Sequence, residues 1–148
     1  METLRHTFLF RPALWEARGW FYDNAGHRFS CEGQTVITHT PDVWINEGTM
    51  KVIGPQPMSF SNRYDIAPFQ PGRDFTTWSS FNPDMEALSG HFVVVEDAIL
   101  SPYKSETGQF WGNEFMVQIN EHEYRGRGYV FQGDRKLSSW AIQLTMAR

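Results

Sequence analysis

A chain of 148 residues is long enough for one domain with a sizeable core and too short for two comfortable ones. Its formal charge of −4 and its scattered Lys and Arg argue against nucleic acid as a partner, since phosphate binding needs a basic face. Aromatic residues make up 16%, with six tryptophans, which favours β structure and large packed or ligand-lined interiors.

No apolar run is long enough to span a bilayer. Residues 1–6 carry an acid at Glu2 and lack an apolar segment with a small-residue cleavage site, so no signal peptide is expected. The single cysteine, Cys31, excludes an internal disulfide and reads as a small buried hydrophobe; the cytoplasm is the expected compartment.

Residues 4–14 are apolar on several sides until Pro12. An extended arm and then one helical turn over residues 12–15 suit them, because Pro is tolerated in a first turn. The first strand sets Trp15, Ala17, Gly19 and Phe21 against Glu16, Arg18, Trp20 and Tyr22. Asp23-Asn24-Ala25-Gly26 is a turn, and residues 27–38 form a long strand with Phe29, Cys31, Gly33, Thr35 and Ile37 on one face. Residues 43–53 are the next strand, with Gly48 as a candidate bulge or bend. After Gly54-Pro55-Gln56-Pro57, Met58, Phe60, Asn62 and Tyr64 alternate with Ser59, Ser61, Arg63 and Asp65.

Residues 67–73, with Pro68, Pro71 and Gly72, are the loosest loop and a candidate rim loop. Residues 75–80 form a strand carrying Trp78. Residues 82–90 give the one good helical signal, with an Asn82 cap, Pro83 at the first position and Gly90 at the end. Strands over 91–96 and 98–104 follow. The last three, over 109–120, 123–132 and 136–146, are joined by short polar turns and make an antiparallel meander.

The expected fold is therefore all-β: an antiparallel up-and-down β-barrel of about ten strands with one short helix. Closure hides every strand edge, and a barrel of that size is too wide for side chains alone to fill easily, so a ligand cavity is expected.

In length, strand count and meander order the chain resembles the calycins, the lipocalins and fatty-acid-binding proteins. Lipocalins carry a Gly-x-Trp on the first strand, where this chain has adjacent Gly19-Trp20. Arg127-Gly128-Tyr129 is similar to the Arg-x-Tyr carboxylate clamp of fatty-acid-binding proteins, although one more strand follows it here. The resemblance implies a lipocalin-like barrel with a small hydrophobic molecule inside.

Two facings of the hairpin around residues 120–122 stay open. With a two-residue loop, Trp111, Phe115, Val117 and Ile119 share a face with Tyr124, Gly126, Gly128 and Val130, while Glu114, Met116 and Gln118 share the other with Arg125, Arg127, Tyr129 and Phe131. If the first set is internal, Gly126 and Gly128 make room for a ligand or a close neighbour, and the charged set faces water. If the second is internal, Arg127 and Tyr129 grip an acidic head group and Glu114 balances the arginines. A one-residue shift would break up both assignments.

The candidate ligand-binding residues are Arg127, Tyr129, Glu114, Trp78, Trp111 and Trp140; Trp15 and Trp20 are further core or cavity candidates. His6, His27, His39, His91 and His122 show no metal-ligand spacing, and no nucleophile, P-loop or dinucleotide fingerprint appears, so neither metal nor cofactor is expected. The leading expectation is a binding protein for a small, largely hydrophobic ligand, acidic if the clamp faces inward; a homodimer is compatible with it. The alternative is an isomerase, cyclase or lyase acting on a hydrophobic or tetrapyrrole-like substrate, with Glu114 as its catalytic carboxylate.

Overall fold

The computed structural model describes residues 5–81 and 86–147. Ten strands follow one another: β1 (Ala13–Tyr22), β2 (Arg28–His39), β3 (Trp44–Ile53), β4 (Met58–Ile66), β5 (Phe75–Ser80), β6 (Leu88–Val95), β7 (Ala98–Ser105), β8 (Phe110–Asn120), β9 (Glu123–Gln132) and β10 (Arg135–Met146). Each pairs antiparallel with its chain neighbours, and β1 pairs with β10 from Trp15↔Met146 to Tyr22↔Ser139, closing the barrel. Residue Gly48 sits in unbroken register between β2 and β4, so it marks no bulge.

No helix occurs among the described residues. Of the expected helix, residues 82–85 lie outside them. Leu88, Ser89 and Gly90 belong to β6 instead, paired with Ser80, Ser79 and Trp78; alternation of Leu88, Gly90 and Phe92 toward the interior fits a strand. The helical turn expected at 12–15 comes earlier. Arg11 N donates to Thr7 O at 3.1 Å, and Pro12 leads straight into β1, a strand entrance where its missing N–H costs no ladder bond.

Register partners share a face, so buried Trp15, Ala17, Ile37 and Leu144 fix the inward set all round the barrel. The barrel is filled at one end. There, buried Trp15, Ile37, Ile66, Ile99, Met116, Tyr124 and Leu144 pack against Phe8 and Leu9 of the N-terminal segment. That segment is held by polar contacts. Tyr124 Oη accepts from Thr7 N at 3.0 Å and Phe8 N at 3.3 Å and contacts His6 Nδ1 at 2.8 Å. Thr7 Oγ1 donates to Glu121 O, and His39 Nε2 donates to Leu9 O. Leu9 adopts φ 73°, a left-handed conformation costing about 1–2 kcal/mol, which burial of its side chain at about 1.5–3 kcal/mol offsets. The loop after β4 belongs to this filled end too: Phe69 packs at a tilt against Phe10 and Trp44 rather than edging an open rim.

The wall is uneven. The β1–β2 and β2–β3 ladders each run over ten residue pairs, but β4–β5 has three: Tyr64↔Ser80, Asp65↔Ser79 and Ile66↔Trp78. Between β6 and β7, pairing holds at Gly90↔Tyr103 and Val93↔Leu100 and lapses between them, where Pro102 has no N–H to give. The His91 carbonyl on that stretch accepts from Trp78 Nε1 at 3.2 Å instead.

Candidate functional site

Toward the other end the inward side chains keep part of their surface accessible. Phe21, Phe29, Met50, Phe60, Tyr64, Tyr103, Glu114 and Trp140 are all half-buried, which is what side chains around an unfilled interior look like. Glu114 is the one carboxylate at an inward position among the described strands. Its place follows from the hairpin between β8 and β9. The loop has the two expected residues, with Asn120 opposite Glu123, but a bulge at Ile119 brings Gln118 opposite Tyr124 and reverses parity beyond it.

Each of the two facings read from the sequence is therefore half corrected. Glu114, Met116 and Gln118 point inward together with Tyr124, Gly126, Gly128 and Val130; Trp111, Phe115, Val117 and Ile119 point outward together with Arg125, Arg127, Tyr129 and Phe131. Arg127 and Tyr129 consequently form no internal clamp. The Arg127 Nη1 donates to Gly126 O, and Tyr129 packs edge-on against Phe131 on the outer wall. Trp111 stacks on Phe131 outside at 4.8 Å, and Trp20 lies outside under the Arg28 guanidinium. Trp78 and Trp140 are inward, and so is Trp44, which stacks on His39 at the filled end.

A recurring device positions the polar atoms: an aromatic ring lies across a glycine on the next strand and reaches a polar group on the strand after that. Trp140 of β10 crosses Gly128 of β9, and its Nε1 donates to Glu114 Oε2 of β8 at 2.7 Å. A Cβ at Gly128 would stand 2.4 Å from Trp140 Cε2, so only glycine leaves the passage open. Trp78 of β5 crosses Gly90 of β6 and donates to Ser101 Oγ of β7 at 2.9 Å. Tyr103 of β7 crosses Gly112 of β8 and donates to Tyr129 O at 2.9 Å.

Glu114 has its second oxygen unpartnered among the described residues, and no cation lies at ion-pair distance from it. Burial pushes its carboxyl above the ordinary carboxylate range, and the Trp140 hydrogen bond opposes that rise only in part. Burial likewise raises the Tyr64 phenol, with the Glu114 charge adding to it, and raises Tyr103 through burial, Glu114 and Tyr64 in that order. The three groups form one electrostatic cluster. Tyr64 packs edge-on against Trp78 at 4.8 Å, and its hydroxyl has no hydrogen-bond partner among the described residues. Sequence reading singled out neither Tyr64 nor Tyr103 for the site. The available signal was the placement of Gly90 and Gly112 beside large aromatics on adjoining strands, visible only once the register is known.

Chemically, the arrangement offers half-buried inward aromatic rings around one carboxyl group and one phenol. It can accept hydrogen bonds from N–H or O–H groups, donate to a carbonyl when Glu114 is protonated, and stack a planar molecule against Trp140 and Tyr64. Among the described residues no three His, Cys, Asp or Glu converge as a metal site. Two grooves mark the outer wall, about 510 Å³ over Val36, Glu47 and Arg63 and about 360 Å³ over Gly90 and Pro102; Glu114 lines neither. No helix among the described residues is long and apolar enough to cross a membrane.

No protein-family model and no curated protein sequence matches the chain. Among solved structures it is similar to the S-type phycobiliprotein lyase CPES from Guillardia theta, with 6% identity, a TM-score of 0.66, and coverage of 95% of this chain and 91% of that one. An N-terminal dehydratase from a difficidin assembly line aligns at a TM-score of only 0.28, which carries no likeness of fold. The closed ten-strand antiparallel meander and the likeness in fold to the lyase fit a calycin-like β-barrel.

Proposed function

We propose that the barrel binds one small, planar, largely apolar molecule in its unfilled half, with Glu114 and Tyr64 as the polar contacts and Trp140 and Tyr103 as the stacking surface. The observation that carries this reading is Glu114: a carboxyl without a cation, held by Trp140 among half-buried inward aromatic rings with one oxygen unused. A carboxylate buried this way costs stability unless something meets it, so its presence fits a ligand that supplies N–H or O–H donors. A tetrapyrrole is planar, largely apolar and carries N–H donors along its inner edge, and the lyase's likeness in fold supports testing that class first.

The test is titration with biliverdin and, separately, with an apolar naphthalene dye, following tryptophan emission. The expected result is saturable binding at one ligand per chain with quenching of Trp140 and Trp78. Glu114→Leu should weaken biliverdin more than tenfold, about 1.4 kcal/mol, while Arg127→Met, on the outer wall, leaves it unchanged. Absence of quenching by either probe, with no small molecule in native mass spectra of freshly purified protein, overturns the reading.

A second reading, acid–base catalysis on the bound molecule, is favoured by the raised carboxyl of Glu114 beside Tyr64. It requires a time-dependent change in the ligand's absorbance that Glu114→Gln abolishes while binding persists.

A further inference from the structure

The outer wall has two unlike sides. Outward positions on β2, β3 and β4 are mostly polar or charged, including Arg28, Glu32, Gln34, Glu47, Lys51 and Arg63. Outward positions on β6, β7 and β8 are mostly apolar. Rows fixed by register run Val93–Leu100–Phe115 and Val95–Ala98–Val117, with Ile119 beyond Val117 and the stacked pair Trp111–Phe131 at the other margin. Val95 is 49% exposed, Ile119 47%, Trp111 40% and Tyr129 37%. A closed barrel has no free strand edge, so a partner on this side meets it face to face.

We infer that this face joins a second copy of the chain about a twofold axis near Val117. The first support is area. A standard interface buries about 800 Å² per partner, and in homodimers about 65% of that is apolar, roughly 500 Å². The exposed fractions of the side chains named above amount to an apolar area on the order of 500 Å², more than scattered surface hydrophobes need explain.

The second support is charge. Arg125 lies one strand from Val117 on one side, and Ala98, preceded by the exposed Glu96-Asp97 turn, lies one strand from it on the other. A twofold axis lying in the contact plane along β8 at Val117 sets each copy's Arg125 position against the other's Ala98 position, and its Arg127 position against the other's Leu100. Each copy's Arg125 thus comes beside the other's Glu96-Asp97 turn, and like charges stay apart. Among the described residues Glu96, Asp97 and Arg127 make no ion pair within the chain, and Arg125 reaches Glu123 only at 3.7 Å.

Sedimentation velocity on the full chain tests this at concentrations up to about 100 μM, which detects a dimer even of modest affinity. The expected mass is twice 17.2 kDa. Val117→Glu, on the outer face, should give monomers with unchanged circular dichroism. Arg125→Glu should weaken the dimer more than tenfold, and adding Glu96→Lys with Asp97→Lys should restore it. The charge variants keep the test decisive if Val117→Glu fails to fold. A wild-type monomer across the range, whether or not it binds lipid vesicles or another protein, overturns the inference. So does a dimer indifferent to Val117→Glu, or a charge reversal without rescue.

Discussion

Replacing Gly128 by alanine probes the passage through which Trp140 reaches Glu114. The added Cβ would stand 2.4 Å from Trp140 Cε2 and Cζ2 and 2.5 Å from Nε1. Carbon atoms rest about 3.5–4.0 Å apart, so the indole must retreat by more than about 1 Å. The 2.7 Å bond to Glu114 Oε2 then stretches past about 3.5 Å, where it no longer counts as a hydrogen bond. Overpacking costs about 1–3 kcal/mol, and leaving a buried acceptor unpaired costs about 1–3 kcal/mol. Against this, alanine restricts the unfolded chain and returns about 0.4–1 kcal/mol. The net loss should be about 3 kcal/mol, or about 10 °C in melting temperature for a chain of this length. Gly126 supplies an internal control two residues away. A Cβ there meets Ile142 Cγ1 at 3.1 Å, a side-chain atom able to give, so Gly126→Ala should cost less than about 1 kcal/mol. Thermal melts followed by circular dichroism and tryptophan emission compare the two. Equal small losses, with the emission of Gly128→Ala like wild type, would refute the reasoning.

The remaining predictions concern protons and the filled end. Because the folded-state pKa of Glu114 is raised, the native protein keeps a proton that the unfolded chain releases near the ordinary carboxylate value; stability is fully present below that value and falls as pH rises toward the raised one. Glu114→Gln keeps an oxygen for Trp140 and removes this loss, so urea denaturation should show it more stable than wild type at neutral pH but not in acid; parallel curves would contradict the assignment. Tyr124→Phe strips the hydroxyl that accepts from Thr7 N and Phe8 N and should cost about 1–3 kcal/mol, with faster amide exchange at those two residues as its local signature.

Much of the fold was legible because strand periodicity is local. Alternation of Trp15, Ala17, Gly19 and Phe21, or of Met58, Phe60, Asn62 and Tyr64, needs no partner to be read, and the turn at Glu121-His122 was placed correctly. What failed was set by contacts between distant segments. The bulge at Ile119 exchanges the faces of β8 relative to β9, and nothing in residues 118–124 announces it. That single irregularity put Glu114 inside and Arg127 with Tyr129 outside. The expected helix ended at Gly90 because glycine often closes helices; here Gly90 is a strand residue whose missing side chain makes way for Trp78. Tyr124 looked like ordinary strand filling, and its hydroxyl gains meaning only from a segment more than a hundred residues earlier.

The three-pair ladder between β4 and β5 has a mechanical consequence. A ring of strands stays a ring after one seam opens, because every other seam still holds; it needs two cuts to come apart but only one to let something pass. The shortest seam opens first, since the free energy of local opening scales with the bonds and contacts surrendered. Tyr64 stands on that seam, facing the interior that Glu114 shares. The β4–β5 seam is thus the joint whose local opening would uncover Tyr64 and the space beside Glu114 while every other seam of the ring still holds.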